Sequence, residues 1–437
     1  MLSREENELL TRVGPDAPMG RMLRRYWIPA IRSADVEADG APKRVRLLGE
    51  DLVVFRDTTG RVGLLDENCP HRGASLVLAR NEACGLRCLY HGWKLDVDGR
   101  VLETPPEPDE LNFKDRVRAR AYPTYESGGF VWAYFGPPGT EPQRVEFEFA
   151  TLPETHRMVA TVQSECNFIQ NLEGVIDSAH SNYLHSNAIK PAVGSEATVF
   201  SENQKFDLDR PSNDGKPRIE VQDTTYGFRY AGIRVPTRDP ETTQYVRVTL
   251  FVAPFYGIVA APYGIGFLQM FVPMDDEHTM FHYVRYTFDE PIDADARARH
   301  HAWGGTRAGI DLDAAYRKTR TRATNWLQDR AAMQRGDSFS GITGVNNEDF
   351  AVQESMGSVY DRTKEHLGTS DVAVIRMRRL MLDSVRRFEA DGTLPLGLRE
   401  PVRYEKLRAE ERTIPLDAAW QTIGAFAGEP TEPEPAR

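Results

Sequence analysis

Cys69-Pro70-His71-Arg72-Gly73 and, with sixteen residues between His71 and Cys88, Cys88-Leu89-Tyr90-His91-Gly92-Trp93 decide how the front of this chain folds. Each stretch supplies one thiolate and one imidazole from a tight loop. A [2Fe–2S] cluster can take two Cys on one iron and two His on the other, and the imidazoles raise its potential above that of a four-Cys cluster. A structural zinc site with two Cys and two His usually groups Cys with Cys and His with His. Here the pairs are mixed, so the pattern predicts the cluster. Two loops facing each other at the tips of hairpins deliver that ligand set. Gly73 and Gly92 are expected to let the backbone approach the sulfides.

That ligand set, Cys69, His71, Cys88 and His91, is of the Rieske type. Rieske proteins of the respiratory and photosynthetic complexes carry an extra Cys in each loop, forming a disulfide, and neither loop here has one. Cys84 lies outside both motifs and is expected to be a small buried hydrophobe. Four cysteines in 437 residues make no disulfide scaffold and suit a reducing cytoplasm. Working outward, 51–63 reads as a hairpin, LVVF, then the turn DTTG, then RVGLL. Short strands continue through GGFVWAYFG at 128–136, and PPGTEPQ at 137–143 reads as a linker. Residues 1–145, with a helical N-terminal segment ahead of Trp27 and Pro29, are therefore expected to form an antiparallel β domain, and 146–437 a second domain.

The length suits two domains, and 40% apolar residues can fill their cores. A formal charge of −11 counts against nucleic-acid binding. MLSREENELL at the start has no basic segment followed by an apolar one, so no secretory signal is expected. Val248 to Met274 carries no charge and is long enough to cross a membrane. Pro254, Pro262, Pro273, Gly257, Gly264 and Gly266 interrupt it, however, and predict two or three buried strands instead. No GxGxxG follows a strand, so dinucleotide binding is expected to fall to a partner. The tail TEPEPAR is expected to be loose.

In the second domain a helical stretch runs from Asn167 to about His185, strands fill 217–290, and helical patterns return at 312–334 and 371–391. The last has an apolar stripe at Val372, Ile375, Leu380 and Leu382 or Val385, with Gly392 as its stop. Asp177 and His180 are three apart and would share a helix face. His180 and His185 are five apart, about 140° on a regular helix. They converge only if the helix has an i→i+5 bulge there or ends between them. Two His with one carboxylate would leave open positions on Fe(II) for O₂.

A Rieske motif followed about ninety residues later by D-x-x-H-x-x-x-x-H resembles the α subunits of ring-hydroxylating Rieske non-haem iron oxygenases. The likeness is closest to the phthalate dioxygenase oxygenase components, through MGRMLRRYWIPA at 19–30, Arg210-Pro211-Ser212, and NNEDFAVQESMGSVYDRTKEHLG at 346–368. The resemblance implies an α+β fold, with an antiparallel β Rieske domain and a helix-grip catalytic domain built on one antiparallel sheet of about seven or more strands. It implies His180, His185 and Asp349 as ligands of a mononuclear iron, with Glu354 and then Glu348 as alternatives to Asp349. It implies that Asp177 bridges His91 of one subunit to His180 of its neighbour, in a trimer or stacked trimers. A flavin or iron–sulfur reductase would supply electrons from NAD(P)H, and O₂ would enter an aromatic carboxylate as a cis-diol.

A carboxylate prefers an Arg partner. Arg247 shares a strand face with Tyr245, Thr249 and Phe251, while Val246, Val248, Leu250 and Val252 form the other face. Which face lines the pocket decides whether Arg247 meets substrate. Arg210 is the second candidate, followed by Arg229 and Arg234. Three other readings stay open: a Rieske monooxygenase or O-demethylase with the same sites, a Rieske electron carrier with a non-catalytic second domain, and a zinc-stabilised binding protein.

Overall fold

The computed structural model describes residues 1–186, 212–260 and 265–424. Two compact units emerge, Val13–Glu146 and the union of Met1–Arg12 with Phe147–Arg437. The first helix, expected within the front domain, thus belongs to the rear unit. Ser3 caps it, its Oγ accepting the amide of Glu6. Asn7 Nδ2 donates to the carbonyl of Tyr360 at 3.0 Å, and Glu6 pairs with Arg386 at 2.9 Å. Those anchors are the physical reason for the reassignment.

The front unit contains three small antiparallel sheets. One pairs Trp27–Arg32 with Phe130–Tyr134 and that strand with Thr124–Ser127. A second runs Lys43–Leu47, Glu50–Arg56, Val62–Asp66. The third joins four short strands, Arg80–Glu82, Gly85–Arg87, Lys94–Leu95 and Val101–Glu103. The expected DTTG turn is present. Asp57 Oδ1 accepts the amides of Thr59 at 2.9 Å and Arg61 at 3.0 Å, an Asx arrangement that closes the hairpin. Phe55, Leu65, Leu76, Leu86, Trp93 and Leu95 are buried around Cys69 and Cys88. Each such side chain stabilises the fold by about 1.5–3 kcal/mol on burial.

The rear unit is built on one eight-stranded antiparallel sheet. Its order is Arg157–Ser164, Thr279–Thr287, Ile265–Pro273, Tyr256–Val259, Thr243–Val252, Gly227–Arg234, Arg218–Thr224. An eighth strand, Glu411–Pro415, pairs with the first half of Thr243–Val252. The described part of the uncharged run from Val248 contributes to three of these strands, and no helix among the described residues is long and apolar enough to cross a membrane. The helices Phe168–Ile176 and Val372–Asp391 lie against this sheet, and Val345–Ser355 packs on Phe168–Ile176.

Three helical expectations need correction. Ala294–Gly304 is a helix that periodicity did not reveal, capped by Asp293, whose side chain accepts the amide of Ala296. The stretch 312–334 is largely non-helical. Only Arg330–Arg335 is α, and Asn325 and Trp326 within Arg322–Leu327 are left-handed. Asp313 Oδ1 takes the amides of Ala315 and Arg317, a local side-chain bond that competes with helix formation. Val372–Asp391 ends at Gly392 (φ +74°) as expected, but it buries Ala373, Val374, Met377, Met381, Leu382 and Val385. Val372 at its exposed first turn stays outside that face.

A buried ionic network ties these helices together. Glu173 receives Arg362 through Nε and Nη2 at 2.8 and 2.9 Å, and Arg378 Nε at 2.6 Å. Arg378 also pairs with Glu365, and Arg362 Nη1 donates to Asn7 Oδ1 at 3.1 Å. Burial alone would raise the Glu173 carboxyl, but the two guanidinium groups hold it below its ordinary value. Removing one member leaves an uncompensated buried charge, which typically costs about 3–5 kcal/mol. Glu173→Gln is therefore expected to lower the melting temperature at pH 7 by about 5 °C or more. Because this carboxyl is depressed in the folded state, its contribution is complete above the unfolded value of 4.5 and disappears as pH falls through the folded one. The gap between wild type and Glu173→Gln in thermal unfolding should narrow in acid; a gap unchanged down to about pH 3 contradicts the assignment.

Candidate metal centres

The two front loops are copies of one turn. In the first, Cys69 N donates to Ala74 O at 2.8 Å and Gly73 N to Cys69 O at 2.9 Å. In the second, Cys88 N donates to Trp93 O at 2.8 Å and Gly92 N to Cys88 O at 3.0 Å. Gly73 and Gly92 take φ of +75° and +73°. This is the reason for glycine there. Among protein atoms, a Cβ on Gly73 would meet nothing within 4 Å, and one on Gly92 would meet only Pro105.

The loops bring both thiols into the core, where Cys69 and Cys88 are each 3% exposed. The imidazoles are half-buried. His71 and His91 meet with ring centroids 4.4 Å apart at 71°, and His71 stacks on Trp93 at 4.5 Å. Burial, then the adjacent Cys88, pushes the Cys69 thiol up to about 11, while the amides of His71 and Arg72 favour its thiolate. Two thiols in an apolar wall with two imidazoles at its rim fit a mixed-ligand iron–sulfur cluster. Cys84 is not the buried hydrophobe expected. With φ +65° it sits half-exposed in the turn between Arg80–Glu82 and Gly85–Arg87.

In the rear unit the helix Phe168–Ile176 is capped by Asn167, whose Oδ1 accepts the amide of Ile169 at 3.1 Å. It stops at Asp177, whose Oδ1 takes the amide of Ala179 at 2.7 Å. Asp177 and His180 therefore share no helix face, contrary to expectation. The helix, expected to run to about His185 and to bulge or end between the histidines, instead ends before both, and His180 opens a short 3₁₀ turn, His180–Asn182. Arg234, buried, fastens this segment: its Nη2 donates to Ser178 O at 2.8 Å, Ser178 Oγ at 3.0 Å and Asn182 Oδ1 at 3.1 Å.

The turn brings the rings of His180 and His185 to 5.1 Å at 81°. Asp349, on the helix Val345–Ser355, places Oδ1 3.6 Å from His180 Nε2 and 3.2 Å from His185 Nε2. One ligand atom from each of the three lies within 4.8 Å of the others, a gap that accommodates a single ion. Two imidazoles and one carboxylate are the donor set of non-haem Fe(II) centres. Burial alone would lower His185, but Asp349 and Glu348 push it up to about 10. Burial would raise Asp349, yet the two histidines hold it below its ordinary value.

The other two acids weighed as ligands have different partners. Glu348 Oε2 meets His185 Nδ1 at 2.8 Å, and Glu348 Oε1 accepts Ser340 Oγ–H at 2.5 Å. With a metal ion bound, that contact would keep the imidazole proton on Nδ1 and leave Nε2 for the ion. Glu354 faces away, bound to Lys318 Nζ at 2.6 Å, Trp326 Nε1 at 3.0 Å and the amide of Glu165 at 2.9 Å. Asp177 Oδ2 lies 3.4 Å from His180 Nδ1.

These groups border a cavity of about 1120 Å³, counted to its mouth, with Tyr230, Phe267, Tyr283 and Trp303 among its walls. Tyr245, Arg247 and Thr249 line it, so the mixed face of that strand is the inner one. Arg229 does not line it, because its guanidinium is spent on Gln222, Ile423 O and Gln421 O. Arg234 does not line it either, and its Nη2 is engaged on the histidine turn. Arg210 lies outside the described residues. Glu411, from the late strand, also borders the cavity. No periodicity marked that strand in the sequence, and only its register opposite Arg247 reveals it.

Residues 26–123 match the Rieske [2Fe-2S] domain family, and residues 133–434 match the family described as LigXa C-terminal domain like. The chain is 44% identical to the phthalate 4,5-dioxygenase oxygenase subunit of Pseudomonas putida, over 97% of this chain and 95% of that one. It is 37% identical to the 3-chlorobenzoate-3,4-dioxygenase oxygenase subunit of Comamonas testosteroni, over 96% of each. Among solved structures, an NdmA variant from Pseudomonas putida CBB5 with theobromine has the same fold, with TM-score 0.58, 17% identity, and coverage of 88% of this chain and 98% of that one. The chain belongs to the Rieske non-haem iron oxygenases: it is an oxygenase component with a [2Fe–2S] cluster and a mononuclear iron, and it works with O₂ and a separate reductase.

Proposed function

We propose that this oxygenase acts on a phthalate-like aromatic carboxylate, giving a cis-dihydrodiol from the ring, O₂, two electrons and two protons. The observation that carries the reading is Arg247 on the wall of the same cavity that His180, His185 and Asp349 border. A guanidinium on the wall of an aromatic-lined cavity recognises a ring carboxylate by charge-assisted hydrogen bonds. The names of the two relatives, a phthalate and a chlorobenzoate dioxygenase, support the same substrate class. Arg247→Gln is expected to raise the Kd for phthalate about 30-fold, on a charged hydrogen bond worth about 1.5–3 kcal/mol, in a calorimetric titration. Unchanged phthalate binding would exclude this role.

His180, His185 and Asp349 are the proposed iron ligands, and Cys69, Cys88, His71 and His91 the cluster ligands. When bound, the cluster supplies single electrons and the ferrous ion supplies open positions for O₂. Glu348 holds His185 in the tautomer that presents Nε2. His180→Ala should keep the visible absorption of the cluster while losing mononuclear iron and O₂-dependent product. Product formation undiminished in that variant would sink the assignment.

Asp177 is proposed to orient the Nδ1 side of His180 and to meet His91 of a neighbouring copy in a trimer or stacked trimers. A carboxylate does this by accepting ring N–H groups, which an amide does poorly. Asp177→Asn should lower kcat by at least about tenfold with KM and the rate of cluster reduction unchanged, as expected for an orienting partner. A matching fall in cluster reduction would place the defect elsewhere. The free thiols among the four cysteines suit a reducing, cytoplasmic setting, with a flavin or iron–sulfur reductase as electron donor.

A further inference from the structure

Arg247 does not face the cavity alone. Glu411 stands directly opposite it across the ladder between Thr243–Val252 and Glu411–Pro415. Glu411 Oε2 lies 3.5 Å from Arg247 Nε and accepts Tyr245 Oη–H at 2.8 Å. Its other oxygen has no hydrogen-bond partner among the described residues. Arg247 Nη2 donates to Ala260 O at 3.1 Å, whereas its Nε, though enclosed, makes no hydrogen bond. The side chains of both Arg247 and Glu411 are only 18% exposed. The cavity wall therefore presents a loosely made ion pair, Arg247 with Glu411, in which one oxygen of the carboxylate is left to accept a further hydrogen bond.

Such an edge does not suit a bare anion. A carboxylate that reaches Arg247 comes up beside a second carboxylate, and in a poorly hydrated pocket like charges at this range oppose each other strongly. A ligand satisfies both groups when it carries a carboxylate and, at a neighbouring ring position, a hydrogen-bond donor. A buried acceptor built to receive a donor discriminates against ligands lacking one, because it would then be desolvated and unpaired.

We propose that Glu411 is a specificity-determining residue that selects aromatic carboxylates bearing an adjacent hydroxyl, amino or protonated carboxyl group. This deepens the assignment of Arg247 as the carboxylate partner and rests on it. Arg247 sets whether a ring carboxylate binds; Glu411 sets which neighbour it must have.

The test is calorimetric binding of benzoate, 2-hydroxybenzoate, 2-aminobenzoate and phthalate to the complete protein, wild type, Glu411→Gln and Arg247→Gln, between pH 6 and 8. Wild type should bind the hydroxy and amino acids about tenfold or more tightly than benzoate. Glu411→Gln should lose most of that preference and bind the phthalate dianion more tightly than wild type does. Arg247→Gln should weaken all four acids together. Identical rank order and ratios in wild type and Glu411→Gln overturn the role of Glu411 while leaving Arg247 standing. Unaltered affinities in Arg247→Gln overturn the carboxylate assignment itself. If Glu411→Gln disturbs strand pairing, Glu411→Asp serves in its place: it keeps the charge, shortens the reach, and should lower the preference without strengthening phthalate.

Discussion

The rear centre depends on one break in the chain. Two imidazoles five residues apart diverge by about 140° on a continuous helix, so His180 and His185 can reach one ion only if the helix stops first. The stop is made by Asp177, which takes the amide of Ala179 instead of letting the helix run on. It is kept by Arg234, whose three bonds to Ser178 and Asn182 hold the following turn. Behind it, Glu173 anchors the last turn of the helix to Arg362 and Arg378. A charge network in the core thus fixes where the helix can end, and the end fixes the ligands. Such buried networks need not add net stability over an apolar core. Their use here is placement.

The two centres solve the problem of convergence differently. At the front, two short loops with the same hydrogen bonds and one left-handed glycine each set the four proposed ligands locally. At the rear, the ligands come from a turn and a helix more than 160 residues apart in sequence, and only packing of Val345–Ser355 against Phe168–Ile176 brings them together. That difference decides what could be seen in advance. The front site was legible because its geometry is written in consecutive residues. At the rear, the histidines were legible and the helix break was required by their spacing. The pattern of residues alone did not choose among Glu348, Asp349 and Glu354, because three acids on one helix are separated only by which way each points; the family resemblance put Asp349 first. The structure shows Asp349 toward both Nε2 atoms, Glu348 behind His185, and Glu354 on Lys318.

Elsewhere the limits of periodicity are visible. The strands of 217–290 announced themselves by alternation and by prolines in an uncharged run. The helix Ala294–Gly304 did not, since it carries two arginines and two histidines and no apolar stripe. The stretch 312–334 looked helical because its composition favours helices, yet side chains such as Asp313 bind nearby amides and divert the backbone. The arginines show the same limit. Arg229, Arg234 and Arg247 all stand on sheet strands; one closes the far side of the sheet, one holds the histidine turn and one faces the cavity. Strand alternation gives two faces and does not say which is inside.

Charge in the cavity follows from this arrangement. Asp177, Asp349 and Glu411 all border it, against His180, His185 and a single described arginine, Arg247. Acids beside imidazoles suit a dication: Asp349 and Glu348 place negative charge on both sides of His185. The same acids repel an anionic substrate. A ring carboxylate can enter only where that field is reversed, and the strand carrying Arg247 is where the described wall reverses it. Glu411 then narrows the favourable region to one edge of the guanidinium. The site that binds the metal and the site that binds the substrate are in this sense one charge distribution, and a change at Glu411 alters substrate choice without touching a ligand of the iron.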